Sequence, residues 1–581
     1  MTKQQLEKQG LEKIKTDLRF LMSCFRDMLL SLEEDELARC LPWVNEKGPE
    51  SAQKVPDDKL IQALCMSFEL LNIVEQNAAT QFRRRLETKL GLPAIRGSWA
   101  ETLRSWQENG LNEQQMANLL PTLNIMPVLT AHPTEAKRIT VLDLHRELYL
   151  LLVKNENPIW SNLERQVLHE EIKALLERWW RTGEIYLKKP GLADERNNVM
   201  HYFIQVFPEA LRLNDQRLRE AWKSLGLDAE KLQHPEQFPL LQFGSWVGGD
   251  RDGHPFVSAE FTASTLQLHR KSALELLLAQ LHQLAAQLSL SALSNPVPDY
   301  FRSAIDEMAQ PLGTAGKKAV ERNPDEPWRQ FVNLITLKLQ NTLQDQFDQP
   351  DCYYDRPSAL KADLRFLRTT LYHIGAGGIA ANLLLPIERQ LQCFGFHLAR
   401  LDIRQNSQFH EKALSQLLKV AGYEDWDYSS WSESQRLEFL NKELTIDRPF
   451  VAPGKACGPE ADKVLDCYRV VKSYVDRYGP EGVGSFIVSM TRSLSDLLVV
   501  YLFLREVDLL DSPLPVVPLL ETIDGVRGRG NPDLAIEGLL RTMYDPRNSL
   551  TRDVSRQLIQ YFGDKVFRTV IPRNVRLAEA P

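Results

Sequence analysis

Along much of the chain, apolar residues recur at three- and four-residue steps with polar residues opposite. Leu60, Ile61, Leu64, Phe68, Leu71 and Val74 form one such stripe, and residues 5–120 read as helical throughout. The same period over residues 163–187, 257–292 and 327–345 predicts further long helices, read as packing scaffold rather than partner-binding surface. Between them lie five short apolar runs, at 125–130, 241–246, 396–403, 485–489 and 516–520, which read as buried strands. Several end in polar residues and lead into a helical pattern, as 485–489 leads into 495–507. Strand, polar loop and helix make a β/α unit, in which the loop after the strand carries the chemistry. The pattern predicts a mostly α protein with an α/β core of parallel strands. Five strands are too few for an eight-stranded barrel.

Four segments at the ends of these runs carry candidate chemistry. In Thr130-Ala131-His132-Pro133-Thr134, Pro133 biases His132 away from helical geometry, onto a turn where an imidazole serves as a general base near neutral pH. In Gly244-Ser245-Trp246-Val247-Gly248-Gly249-Asp250-Arg251-Asp252-Gly253, the glycines allow close backbone approach to a ligand. Arg251, flanked by two carboxylates, reads as a guanidinium fixed for bidentate anion contact; the plainer reading is a Gly-Asp turn with a local ion pair. In Leu401-Asp402-Ile403-Arg404, alternation puts Arg404 at the strand end, where a phosphate or carboxylate would be met. The run 516–520 ends in Glu521, a single carboxylate of the type magnesium takes alongside water and substrate phosphate.

Composition narrows the setting. The chain has 581 residues, 43% hydrophobic and 25% charged, which excludes a disordered chain, a collagen-like fibre and a small disulfide scaffold. A net charge of −7 argues against a dominant nucleic-acid surface, though not against a local one. Seven cysteines, none at C-x-x-C spacing, read as reduced thiols. With no apolar leader and no run of about 18 apolar residues, the expectation is a cytoplasmic protein without a membrane span. The charge is uneven: residues 1–521 carry 60 Lys and Arg against 70 Asp and Glu, whereas 522–581 carry 10 against 7. That step marks a boundary near Thr522.

Taken together, the four segments resemble the phosphoenolpyruvate carboxylase family. Its T-A-H-P-T signature matches 130–134, G-S-W-x-G-G-D-R-D-G-x-P matches 244–255, and F-G-F-H-L-x-x-L-D-I-R-Q matches 394–405. Its I-S-M-x-x-x-x-S-D segment resembles 486–490 with Ser495 and Asp496, and V-P-L-F-E-T resembles 516–521. The resemblance implies a (β/α)8 barrel surrounded by long helices, incomplete here. It also implies carboxylation of phosphoenolpyruvate by bicarbonate to oxaloacetate and phosphate, with Mg2+ or Mn2+. By position, His132 would be the base that helps carboxyphosphate break down. Arg404 would hold the substrate phosphate, with Arg251 as a further substrate-binding residue. Trp246 and Leu519 would line an apolar pocket around the enolate and carbon dioxide, and Glu521 would be a metal ligand. The family is typically homo-oligomeric.

The family's later motifs, Y-S-D-S-x-K-D and F-H-G-R-G-G, do not occur in these 581 residues. Residues 522–581 instead resemble the C-terminal part of ParA-type partitioning ATPases, in the stretches 531–545, 562–567 and 571–581. They read as strand 534–543, helix 551–562 and strand 565–571, a β/α/β piece. No Walker lysine loop accompanies them, so ATP hydrolysis is not expected. The expected organisation is a carboxylase N-terminal portion over 1–521 and a ParA-like fragment over 522–581, joined by gene fusion or assembly error. Besides a working carboxylase, this leaves two readings: a catalytically inactive truncated fusion and, less favoured, a partition or DNA-binding module.

Overall fold

In the computed structural model the described residues are 3–44, 55–130, 138–182, 191–252, 256–452, 454–521, 539–544, 555–556, 558–560 and 563–572. The chain divides into two units. The first comprises Met1–Pro127, Glu135–Phe243 and Lys271–Leu398; the second comprises Val128–Thr134, Gly244–Arg270 and Ala399–Pro581.

The first unit is almost wholly helical. Helices Lys3–Ser31, Asp57–Leu90, Ile139–Lys154 and Asn162–Thr182 share one core, built from Leu21, Met22, Phe25, Leu70, Leu148, Leu176 and their neighbours. The stripe in Asp57–Leu90 is rotated from the expected one. Ala63, Met66, Ser67, Leu70, Ile73, Val74 and Asn77 are buried, whereas Ile61 and Phe68 are exposed. Met66, Leu70 and Ile73 join Val74 on the buried face, and Ser67 and Asn77 sit among them with hydrogen bonds inside the unit. Ser67 Oγ donates to the Ala63 carbonyl at 2.7 Å and Asn77 Nδ2 to Glu156 Oε1 at 2.6 Å. Phe68 packs edge-on against Trp43 at 5.6 Å between centroids. A second core gathers Leu277, Leu281, Trp328, Phe331, Leu364 and Leu391.

Two of the expected strands are each broken in two. The first becomes β1 (Asn124–Ile125) and β2 (Val128–Leu129), interrupted at Pro127, which has no N–H for a ladder. The second becomes β3 (Leu240–Leu241) and β4 (Gly244–Ser245). β1 pairs with β3 in the first unit, and β2 with β4 in the second.

The second unit is built on a sheet of five parallel strands in the order β2-β4-β5-β6-β7, where β5 is Arg400–Asn406, β6 Val483–Ser489 and β7 Val516–Pro518. Spatial order follows chain order. Parallel neighbours need crossover connections, which the helices between them supply. These include Ser407–Ala421, Pro459–Tyr478 and Leu494–Glu506. Among the described residues, β2 and β7 each have one neighbour, so five parallel strands and no closed barrel are seen. The third expected strand, 396–403, starts late. Helix Leu385–Phe394 ends at Gly395 with φ 53°, and Leu398 adopts φ 62°, so this stretch turns before β5 begins at Arg400. Beyond residue 521, β8 (Leu539–Tyr544) and β9 (Val566–Pro572) pair in parallel as a separate two-stranded sheet.

Candidate active site

The carboxyl ends of the second unit's strands gather most of the expected site residues. In wound parallel sheets these ends are where ligands bind. Arg404 stands near the end of β5, with its side chain 8% exposed. The chain after β4 runs beside it as an isolated parallel bridge, Asp250 to Arg404. Arg404 N–H donates to the Gly249 carbonyl and Arg251 N–H to the Arg404 carbonyl, both at 2.9 Å.

This bridge delivers carboxylates to Arg404. Its Nη1 donates to both Asp250 oxygens at 3.1 and 3.0 Å, and its Nη2 reaches Asp252 Oδ2 at 3.2 Å and Glu521 Oε1 at 3.1 Å. Three carboxylates therefore converge on one guanidinium. Burial pushes the Asp250 carboxyl above its ordinary range, against the opposing pull of Arg404. Asp252 also accepts from Ser489 Oγ at 2.6 Å, and Glu521 Oε2 from the Met490 N–H at 2.9 Å. Arg404 Nε is buried without a hydrogen-bond partner among the described residues.

Arg251 differs from the expectation. Its flanking carboxylates turn to Arg404, because successive side chains of an extended segment point to opposite faces. The Arg251 guanidinium instead donates from Nη1 to the Lys463 carbonyl at 2.8 Å. Nearby, His410 is fully enclosed, and burial lowers it to about 4, so it stays neutral at pH 7.

Trp246 packs its ring over the Arg404 guanidinium, 5.1 Å from Cζ to centroid, a cation–π contact. Its Nε1–H donates to Asp402 Oδ2 at 3.0 Å. Leu519 is held by its backbone: its N–H donates to the Val488 carbonyl at 2.9 Å, and its carbonyl accepts from the Thr491 N–H at 3.3 Å. His132 lies outside the described residues, as do Gly253 and His254 of the glycine-rich segment.

Glu521 is a hard oxygen donor at the end of the β7 segment, 33% exposed and 3.1 Å from Arg404 Nη2. Among the described residues no group of three or more His, Cys, Asp or Glu is arranged to hold a metal ion. One exposed carboxylate nevertheless fits Mg2+ or Mn2+, which complete their shells with water and substrate phosphate. Among the described residues, no helix is long and apolar enough to cross a membrane.

The family model described as phosphoenolpyruvate carboxylase matches residues 50–553. Curated relatives with that description include one from Methylorubrum extorquens, 35% identical over 486 residues, 81% of this chain and 52% of the relative. Another, from Nocardia farcinica, is 32% identical over 87% of this chain and 54% of the relative. A third, from Roseiflexus castenholzii, is 30% identical over 88% and 57%. The chain thus spans about half the length of the curated relatives it matches. The family match runs past Thr522 to residue 553, and these matches carry no support for the ParA likeness of the tail.

Proposed function

The chain belongs to the phosphoenolpyruvate carboxylase family, and on that premise we propose that it binds phosphoenolpyruvate at Arg404 for carboxylation by bicarbonate. The observation that carries this reading is the Arg404 guanidinium, fixed at the strand ends by Asp250, Asp252 and Glu521. A phosphate oxygen would compete with the exposed Glu521 for Nη2. Asp250 and Asp252 would keep the fork in place.

The reaction needs a bicarbonate oxygen to attack phosphorus while the bond from phosphorus to the enol oxygen breaks. This yields carboxyphosphate and the enolate of pyruvate. Carboxyphosphate then divides into carbon dioxide and phosphate, and the enolate carbon takes up carbon dioxide to give oxaloacetate. His132 would hold the proton moved as carboxyphosphate breaks down. Trp246 and Leu519 would present apolar surface that keeps water from the enolate. Arg251 would support the site through its backbone bond to Arg404. Glu521 would hold Mg2+ or Mn2+, which when bound neutralises charge on the phosphate and enolate oxygens.

A second reading is a catalytically inactive chain. On that reading the chain binds phosphoenolpyruvate without turning it over. Calorimetric titration of the purified chain with phosphoenolpyruvate and Mn2+, beside an assay for bicarbonate-dependent oxaloacetate, separates the two. Binding with turnover lost in His132→Ala supports the enzyme; binding without turnover supports the second reading. No binding overturns both.

For residues 522–581 our proposal remains the ParA-like fragment, supported by the motif stretches and the parallel β8–β9 pair. Long sequencing reads across the Thr522 codons are expected to show the join; an uninterrupted carboxylase frame there sinks it.

A further inference from the structure

Two residues before Arg404 on β5, Asp402 is a buried carboxylate, 6% exposed, that meets no substrate role in the reading above. The register between β5 and β6 shifts between Leu401 and Ile403, so the ladder is irregular at Asp402. Its side chain fills the gap: Oδ1 accepts the Ser485 N–H at 2.7 Å. The other oxygen, Oδ2, accepts the Trp246 indole N–H at 3.0 Å. Both donors are neutral, and burial pushes this carboxyl above its ordinary range.

Holding a carboxylate there is costly, and a chain under no constraint would place a neutral side chain instead. The chemistry of the two partners explains the choice. Both are donors, so both side-chain heteroatoms must accept. A carboxylate does this, whereas asparagine has one acceptor oxygen and would turn its NH2 against an N–H. Room is made for the carboxylate by Gly484, where a Cβ would lie 2.0 Å from Asp402 Oδ1.

We propose that Asp402 is a positioning residue: by anchoring the Trp246 indole it fixes the ring over Arg404 and so sets where the phosphate-binding guanidinium points. It acts through Trp246 and touches no substrate. The inference rests on the reading that Arg404 holds the phosphate of phosphoenolpyruvate.

The test uses the full chain labelled with 15N-tryptophan. The Trp246 indole resonance is assigned by its loss in Trp246→Phe. In Asp402→Asn that resonance is expected to move upfield as its charged acceptor is lost. Phosphoenolpyruvate affinity with Mn2+ is expected to fall about tenfold, the scale of one hydrogen bond to a charged group. Trp246→Phe, which keeps an aromatic ring but loses the N–H, should weaken binding at least as much, and the double variant no further than Trp246→Phe. An unmoved resonance, or losses that add in the double variant, overturns the proposal. If Asp402→Asn does not fold, Trp246→Phe decides: wild-type affinity there overturns it. A wild-type chain that binds no phosphoenolpyruvate sinks the Arg404 reading instead, while the indole shift is still read.

Discussion

Arg404→Ala is expected to abolish phosphoenolpyruvate binding and to destabilise the chain by about 3–5 kcal/mol, because it strands buried carboxylates rather than merely deleting a contact. Asp250 loses both of its bonds to Arg404 and keeps the Asp252 N–H, Asp252 loses one of its partners, and Glu521 can turn to solvent. Arg404→Lys should recover only part of either quantity, since one ammonium cannot span three carboxylates in the geometry a planar fork provides. The deficit carries a pH signature. Asp250 is already pushed above its ordinary range by burial, and losing its cation pushes it further. A carboxyl whose folded pKa is raised keeps its native contribution below the unfolded value and loses stability as pH rises through the raised one. Urea unfolding should therefore show a larger gap between wild type and Arg404→Ala at pH 7 than at pH 5. Equal gaps at the two pH values would mean that Asp250 and Asp252 find other partners.

Sequence periodicity made the element types legible, and the reasons for the misses are physical. Long helices and short buried strands leave strong signals, so Asp57–Leu90, β5 and β6 fall close to where they were expected. Which face a helix buries depends on its neighbours, and Phe68 of Asp57–Leu90 was misplaced for that reason. The strand break at Pro127 was visible in the sequence as a residue without a donor. At the site, alternation marked Arg404 at a strand end, but its partners Asp250 and Glu521 lie 154 and 117 residues away along the chain. Asp250 and Asp252 looked like partners of the arginine between them; only the bridge from Asp250 to Arg404 shows whom they serve. Asp402 did leave a signal. It is a carboxylate between Leu401 and Ile403 in an apolar run, where a charge needs a reason.

The same bridge makes Gly249→Ala the second large effect. Gly249 is not required for its backbone dihedral; among the two adjacent glycines, it is Gly248 that has φ of +93°. Gly249 is required for space, since a Cβ there would lie 2.0 Å from the Asp402 carbonyl oxygen and 3.2 Å from Leu401 Cγ. The obstacle is backbone in a central strand, so it cannot swing aside as a flexible side chain would. The loop must lift from β5, which stretches the Arg404 N–H bond to Gly249 and the Arg251 N–H bond to Arg404. Overpacking of this kind costs roughly 2–4 kcal/mol. The functional loss should exceed the loss expected from that figure alone, because lifting the loop also draws Asp250 and Asp252 from Arg404 and leaves the guanidinium misaimed. The expected result is a lowered thermal midpoint with phosphoenolpyruvate binding lost even well below that midpoint. Gly248→Ala separates space from site: its Cβ would meet Thr265 Oγ1 at 2.5 Å, away from Arg404. That variant should lose stability while the folded fraction still binds. Equal loss of binding in both variants would show that the glycines serve the loop's fold alone, and not the placement of its carboxylates.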